Sequence, residues 1–227
     1  MLVIVHHHLG LGDHFVCNGL VRGILARTAA TNNGAVKLLL PTKQRNIVTV
    51  KQMYADEPRI HCVEVNDDND VYTFPEFAEA SMFFRVGFEK CRKDWDVSFY
   101  DTLGVSFEER WSQFKLHRNH KQEQKLERRL RISPNEPFVV MHDSSSVGNY
   151  VIPYFTDKRV IRVRPMSTSL LDWCGLIEKA DEVVCVDSSF IHLAQSLRST
   201  GLFYDVRETN DYHFTLREGW KALTCEL

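Results

Sequence analysis

The 227-residue chain lacks most of the features that declare a function outright. No apolar run approaches the roughly 20 residues of a membrane helix, so no membrane span is expected. The N-terminus has no basic region followed by an apolar core and a small-residue cleavage site, which argues against a secretory signal. An excess of one charge is missing too. There are 28 Lys and Arg against 30 Asp and Glu, a net charge of −2, so no global basic field invites nucleic acid. The six cysteines, Cys17, Cys62, Cys91, Cys174, Cys185 and Cys225, are scattered without a CxxC pair. Reduced, mostly buried thiols in a cytoplasmic protein are expected, not a disulfide framework. The sequence contains no internal repeat and no low-complexity tract.

What is present is an ordinary globular composition, 44% hydrophobic and 26% charged, laid out as alternating strands and helices. Apolar runs at Leu2–His6, Val36–Leu40 and Arg59–Val65 read as buried strands, the second stopped by Pro41. Helical spacing follows them in Asp13–Arg27, Thr42–Tyr54 and Pro75–Phe84. The alternation restarts after "SPNEP". Strands are expected at Phe138–His142, Val160–Val163, Glu182–Val186 and Leu202–Val206, and helices at Ser169–Lys179 and Ser189–Leu197. Between the two halves, "KLHRNHKQEQKLERRLR" (Lys115–Arg131) is charged and poor in apolar residues. It reads as a solvated helix, with acidic relief at Glu123 and Glu127, connecting two lobes. The economical organisation is two Rossmann-like α/β lobes, 1–132 and 133–227.

The chemistry concentrates at the ends of strands. Gly10 and Gly12 lie between a strand and a helix whose free amides suit an anion. A dinucleotide loop would carry a third glycine where Phe15 stands, and an acidic residue after "KLLLPTK". A Walker loop would continue with Gly-Lys-Ser/Thr. Asp13 opens the helix, either as an N-terminal cap or as a carboxylate able to take a proton from a hydroxyl. Ahead of it, His6 and His8 share one strand face and His7 points away. With no third ligand recognisable, a strand end entering a polar cleft is the favoured reading over a metal site.

In "ADEVVCVDSSFIHLAQSL" (Ala180–Leu197) a buried strand ends at Asp187, and Ser188-Ser189 opens a helix with His192 on the loop side. Hydroxyls and amides there suit a diphosphate; a plain serine cap with a buried histidine is the structural alternative. No G-x-S-x-G pattern supports a nucleophilic serine. "HDSSSVGNY" offers Ser144, Ser145 and Ser146 after a strand, and "RVRPM" sets Arg162 and Arg164 on one strand face. "VNDDND" places Asp68 and Asp70 in a D-x-D pattern like the metal motif of GT-A glycosyltransferases, although Asp and Asn clusters also build turns.

Two of these stretches resemble one family. "DSSFIHLAQSL" is similar to the D-S/T-G-x-x-H-L-x-A-A-L segment of the lipopolysaccharide (ADP-heptose) heptosyltransferases, with Ser189 where that pattern has glycine. "SLLDWCGLIEKADEVVCV" is similar to the lead-in helix and strand, and "LGLGDHFVCNGLVRGI" resembles the N-terminal loop and first helix. The resemblance implies a GT-B fold: two lobes facing across a cleft, the nucleotide-sugar donor in the C-terminal lobe and the saccharide or glycan acceptor mainly in the N-terminal lobe. It also implies transfer of a sugar from a nucleoside diphosphate to a hydroxyl without a metal or other cofactor. By position, Asp13 falls on the general base. The donor side takes in Gly12, His142, Ser144, Ser145, Arg162, Arg164, Asp187, Ser188, Ser189 and His192. The acceptor side takes in His8 and His14. Three alternatives stay open: a metal-dependent GT-A enzyme using Asp68 and Asp70, a pyruvyl- or phosphate-transferring enzyme on a similar two-lobe scaffold, and a non-catalytic nucleotide-binding or interaction protein.

Overall fold

The computed structural model describes residues 1–88, 93–206 and 213–224; Cys91 and Cys225 lie outside them. The chain divides into two compact units. The first is residues 1–117 joined by the segment ending at Thr215, and the second is the remainder from Arg118.

The first unit is built on a parallel sheet of four strands: β1 Leu2–His7, β2 Lys37–Lys43, β3 Ile60–Val65 and β4 Met82–Val86, in the order β3-β2-β1-β4. The apolar run of β1 is central, and Val3, Ile4 and Val5 are fully buried. Burial on both faces is what a continuous apolar parallel strand requires. Strand β2 runs through Pro41 and does not stop there. Its pairing with β1 covers only Lys37–Leu39, so Pro41 pairs with β3 alone and its missing N–H leaves no ladder bond unmade. The helix expected over Pro75–Phe84 is cut to Pro75–Glu79, because Met82–Val86 is taken up as the strand beside β1. The helical stretch after β1 starts at Leu11, two residues before Asp13, and is broken at Cys17 into Leu11–Val16 and Asn18–Thr31.

The second unit carries β5 Phe138–His142, β6 Arg159–Arg162, β7 Glu182–Val186, β8 Gly201–Asp205 and β9 Trp220–Thr224, all parallel in the order β6-β5-β7-β8-β9. The expected helix over Ser169–Lys179 is a single turn, Leu170–Trp173, followed by helix Cys174–Lys179. Helix Ser189–Leu197 is as expected.

The units part at His117/Arg118, earlier than the expected break at 132/133. The charged helix, His120–Arg129, belongs to the second unit. Arg118 pairs with Glu123 at 2.6 Å and Glu178 at 2.7 Å, Lys179 pairs with Glu127 at 2.7 Å, and Leu126 is buried. Its acidic residues therefore fix the helix in the second unit. In the first unit a buried ion pair does similar work. Asp96 holds Arg110 and also accepts from the Thr215 amide at 2.9 Å, which draws residues 213–215 into that unit. Removing either partner of such a pair strands a buried charge.

Both sheets share one topological feature. The first strand has the second strand on one side and a later strand on the other, so the order reverses between β1 and β4 and again between β5 and β7. The carboxyl ends of strands at such a reversal form a crevice where ligands of open α/β sheets bind. Among the described residues, no helix is long and apolar enough to cross a membrane. Cys17, Cys62, Cys174 and Cys185 are free thiols.

Candidate functional site

Each reversal point is bridged by a histidine from the end of the first strand. In the first unit His8 Nε2 contacts the Gly87 carbonyl across the β1/β4 gap at 3.1 Å. Gly87 sits at φ +86°, and a side chain there would collide with Phe99, so the position suits glycine alone. The strand periodicity sorts the histidines. His6 and His8 both pack on Phe88, with ring centroids 4.6 and 4.4 Å away, while His7 turns to the opposite face against His14 at 4.5 Å. His6 Nε2 meets Asp68 Oδ1 at 3.0 Å. Burial lowers the His7 pKa to about 4 and drives His14 well below its ordinary value, so both rings are neutral at pH 7. His14 is 0% exposed. Phe15 and Val16 beside it are fully buried as well, so it belongs to the core and not to an acceptor surface.

Asp13 is the third residue of its helix, not the cap; Gly10 is the cap and offers no side-chain acceptor. The Asp13 carboxylate folds back over Gly10, where the Gly10 and Asp13 amides favour its charged form. The fit is close: a Cβ on Gly10 would lie 2.5 Å from Asp13 Oδ2. Burial is the largest influence on the carboxyl and pushes its pKa up to about 7. The two amides and Lys43 pull it down, and the negative charge of Asp68 adds to the rise. Gly12 lies beside it, half-buried, in the first helical turn.

In the second unit Ser188 Oγ meets His142 Nδ1 at 3.0 Å across the β5/β7 gap. The His142 ring stacks on Phe190 at 4.9 Å, and burial lowers its pKa to about 4, leaving it uncharged at pH 7. Ser188 caps helix Ser189–Leu197 by position only. Its hydroxyl is engaged by His142 and the Val186 carbonyl and makes no bond to the first turn. Asp187, Ser188 and Ser189 are half-buried at this helix start, whereas His192 is buried within the unit beside Gln195. Arg162 and Arg164 converge on a residue the sequence did not single out, Asp143, which directly follows β5. Arg164 Nη1 donates to Asp143 Oδ1 at 2.7 Å, and Arg162 donates to Oδ2. Ser145 is spent within its own loop, on Tyr150 at 3.2 Å and the Val147 amide at 3.1 Å, and Ser144 bridges to Asn149.

No family model matches the chain, and no curated protein matches it in sequence. Solved structures do. A family 9 glycosyl transferase from Veillonella parvula superposes with TM-score 0.60 at 10% identity, over 98% of this chain and 86% of that one. The ADP-heptose lipopolysaccharide heptosyltransferase II of E. coli superposes with TM-score 0.60 at 11% identity, over 98% and 90%. The iron-containing dodecameric glycosyltransferase TibC of enterotoxigenic E. coli gives TM-score 0.52 at 12% identity, over 95% and 61%. The chain has the α/β fold of these GT-B-like transferases.

The GT-A alternative meets a different arrangement. Asp68 is held by His6, while Asp70 accepts from the Asn66 amide at 2.8 Å and Asp67 from the Asn69 amide at 2.7 Å. The cluster folds a turn, and no group of three or more His, Cys, Asp or Glu suited to a metal occurs among the described residues. Asp143 was missed in sequence and Asp68 was named there only as part of a metal pattern; both are paired through non-local contacts, with Arg162 and Arg164 and with His6. Chemically, the first unit presents a carboxyl poised near neutrality. The second presents two arginines on one carboxylate and a helix start without a side-chain cap.

Proposed function

We propose that this protein is a glycosyltransferase that moves a sugar from a nucleoside-diphosphate donor to a hydroxyl of a saccharide or glycan acceptor. The observation that carries this reading is Asp13. It is a half-buried carboxyl raised to about 7 at a strand-order reversal, in a fold shared with sugar transferases. A general base works best when its pKa lies near the working pH. The acceptor hydroxyl passes its proton to Asp13 as its oxygen bonds to the anomeric carbon. The bond from that carbon to the phosphate oxygen breaks, and the nucleoside diphosphate leaves with the electron pair.

The leaving diphosphate needs positive charge, and the second unit supplies it through Arg162, Arg164 and the first-turn amides of helix Ser189–Leu197. His142 is neutral and orients Ser188 without adding charge. With protein cations in this role, transfer proceeds without a divalent metal. Among donors, ADP-sugars come first for testing, because the E. coli neighbours are named for ADP-heptose.

The test is a panel of nucleotide sugars with mixed saccharide acceptors, assayed with chelator and with Mn²⁺. Acceptor-dependent release of a nucleoside diphosphate, unaffected by chelator and lost in Asp13→Asn, is expected. Full activity of Asp13→Asn removes Asp13 from the base role, and strict metal dependence returns attention to Asp68 and Asp70.

A further inference from the structure

Asp143 has no place in the proposed reaction, yet it is a buried carboxylate at the mouth of the second sheet, held by two arginines. Its side chain is 6% exposed, whereas those of Arg162 and Arg164 are 51% and 44% exposed. A buried carboxylate thus sits beneath two half-exposed guanidinium groups. Each of its oxygens takes a different arginine: Oδ1 accepts from Arg164 Nη1 at 2.7 Å, and Oδ2 accepts from Arg162 Nη1 and, at 3.4 Å, from Arg164 Nη2. Strand register aims the pair. Arg162 lies opposite Met141 on β5, and the Val163 amide donates to the Met141 carbonyl at 2.8 Å, so Arg162 and Arg164 emerge from one strand face flanking the end of β5. The Nε and Nη2 groups of Arg162 make no hydrogen bond among the described residues.

Two arginines near one anion site would repel each other and hold many rotamers. A carboxylate shared between them fixes both, at the cost of one unit of positive charge. The cluster keeps a net charge of about +1 and gains two guanidinium planes of defined orientation, and planar forks are what bind phosphate oxygens in pairs.

We infer that Asp143 is a positioning residue: by holding Arg162 and Arg164 in one frame it makes the site read a diphosphate, with one arginine for each phosphate, in preference to a single phosphate. This rests on the donor-binding reading of the second unit.

A positioning role and a simple electrostatic role for Asp143 predict opposite changes in anion binding. Removing Asp143 raises the local positive charge, so a carboxylate that merely mutes the field would, when neutralised, tighten binding of every anion. A positioning carboxylate would, when neutralised, weaken the diphosphate selectively. The experiment titrates ADP, GDP, UDP and CDP, and the matching monophosphates, into wild type, Asp143→Asn and Asp143→Glu, read by calorimetry after each variant is shown to melt cooperatively.

For the diphosphate that binds wild type, Asp143→Asn is expected to lose about tenfold in affinity, the scale of one charge-assisted hydrogen bond, with the monophosphate changed less than about twofold. Asp143→Glu, which keeps the shared charge, retains most of the preference. If Asp143→Asn does not fold, Arg162→Lys answers the same question. It keeps the charge but not the planar fork, and the preference for diphosphate must fall. An unchanged preference, or tighter binding of both ligands, overturns the inference and leaves the donor reading standing. If no diphosphate binds wild type, the donor reading fails and the inference falls with it.

Discussion

The two sheets solve one geometric problem with opposite electrostatics. At each strand-order reversal a histidine from the first strand reaches across the gap, His8 to the Gly87 carbonyl and His142 to Ser188. Beyond that bridge they diverge. The first unit places a carboxyl there and desolvates it, so that Asp13 holds its proton to about pH 7. The second unit sets two arginines at the end of β6, on the other side of β5, and anchors them on a carboxylate held below the usual range. Burial alone would raise the Asp143 pKa, but Arg164 and Arg162 outweigh it. On the proposed function, the first site would take a proton and the second would hold a negative charge, the two demands that sugar transfer from a diphosphate makes. The lesson is that a shared scaffold sets where a site forms, while the local charges decide what it does.

Four experiments test that contrast. The largest effect belongs to Asp13→Asn, which is expected to lower the transfer rate by about 10²–10⁴-fold, the usual scale of general-base catalysis, while leaving diphosphate affinity unchanged. Next, the double variant Arg162→Ala/Arg164→Ala is expected to weaken diphosphate binding by about 10–100-fold through lost charge-assisted bonds, measured by calorimetry. It should leave the apparent pKa of the rate profile in place.

A pH–rate profile follows. With Asp13 as the proposed base, the ionised form is the one expected to act, so the rate should rise about tenfold per pH unit below about 7 and level off above it. A profile that is flat from pH 5 to 8 would place the base elsewhere. The smallest effect is on stability. Because the folded-state pKa of Asp13 is raised from 3.8 to about 7, the native state favours the protonated carboxyl. The full stability is present below about pH 4 and declines as pH rises towards 7. Asp13→Asn removes that penalty. It should therefore raise the melting temperature at pH 8, by the equivalent of about 2 kcal/mol after allowance for solvent, and change little at pH 4.

Much of this frame was legible in the sequence, for identifiable reasons. Strands β1, β5 and β7 announced themselves as continuous apolar runs, and helix Ser189–Leu197 through its spacing and the serines ahead of it. The order of the residues at the first loop also placed Asp13 at a helix start. Other parts depend on contacts far apart in the chain. Met82–Val86 becomes a strand only because β1 has a free side for it, so its short apolar run after Pro75 reads as the end of a helix. Trp220–Thr224 is an edge strand paired only with β8 and gives no strong pattern of its own. His14 was expected on the acceptor side, but its helix begins at Leu11 and buries it. Asp143 was hidden because its meaning lies in the register between β5 and β6, which brings Arg162 and Arg164 beside it. Asp68 stood out as half of a metal pattern, whereas its partner is His6, a residue 62 positions away.

The most direct test of the division of labour is a thermal-shift comparison of wild type, Asp13→Asn and Arg162→Ala/Arg164→Ala with ADP, GDP, UDP and CDP in chelator. One diphosphate is expected to raise the melting temperature of wild type and Asp13→Asn equally and to stabilise the double arginine variant far less. Stabilisation that survives in the double arginine variant and disappears in Asp13→Asn would contradict that division of labour.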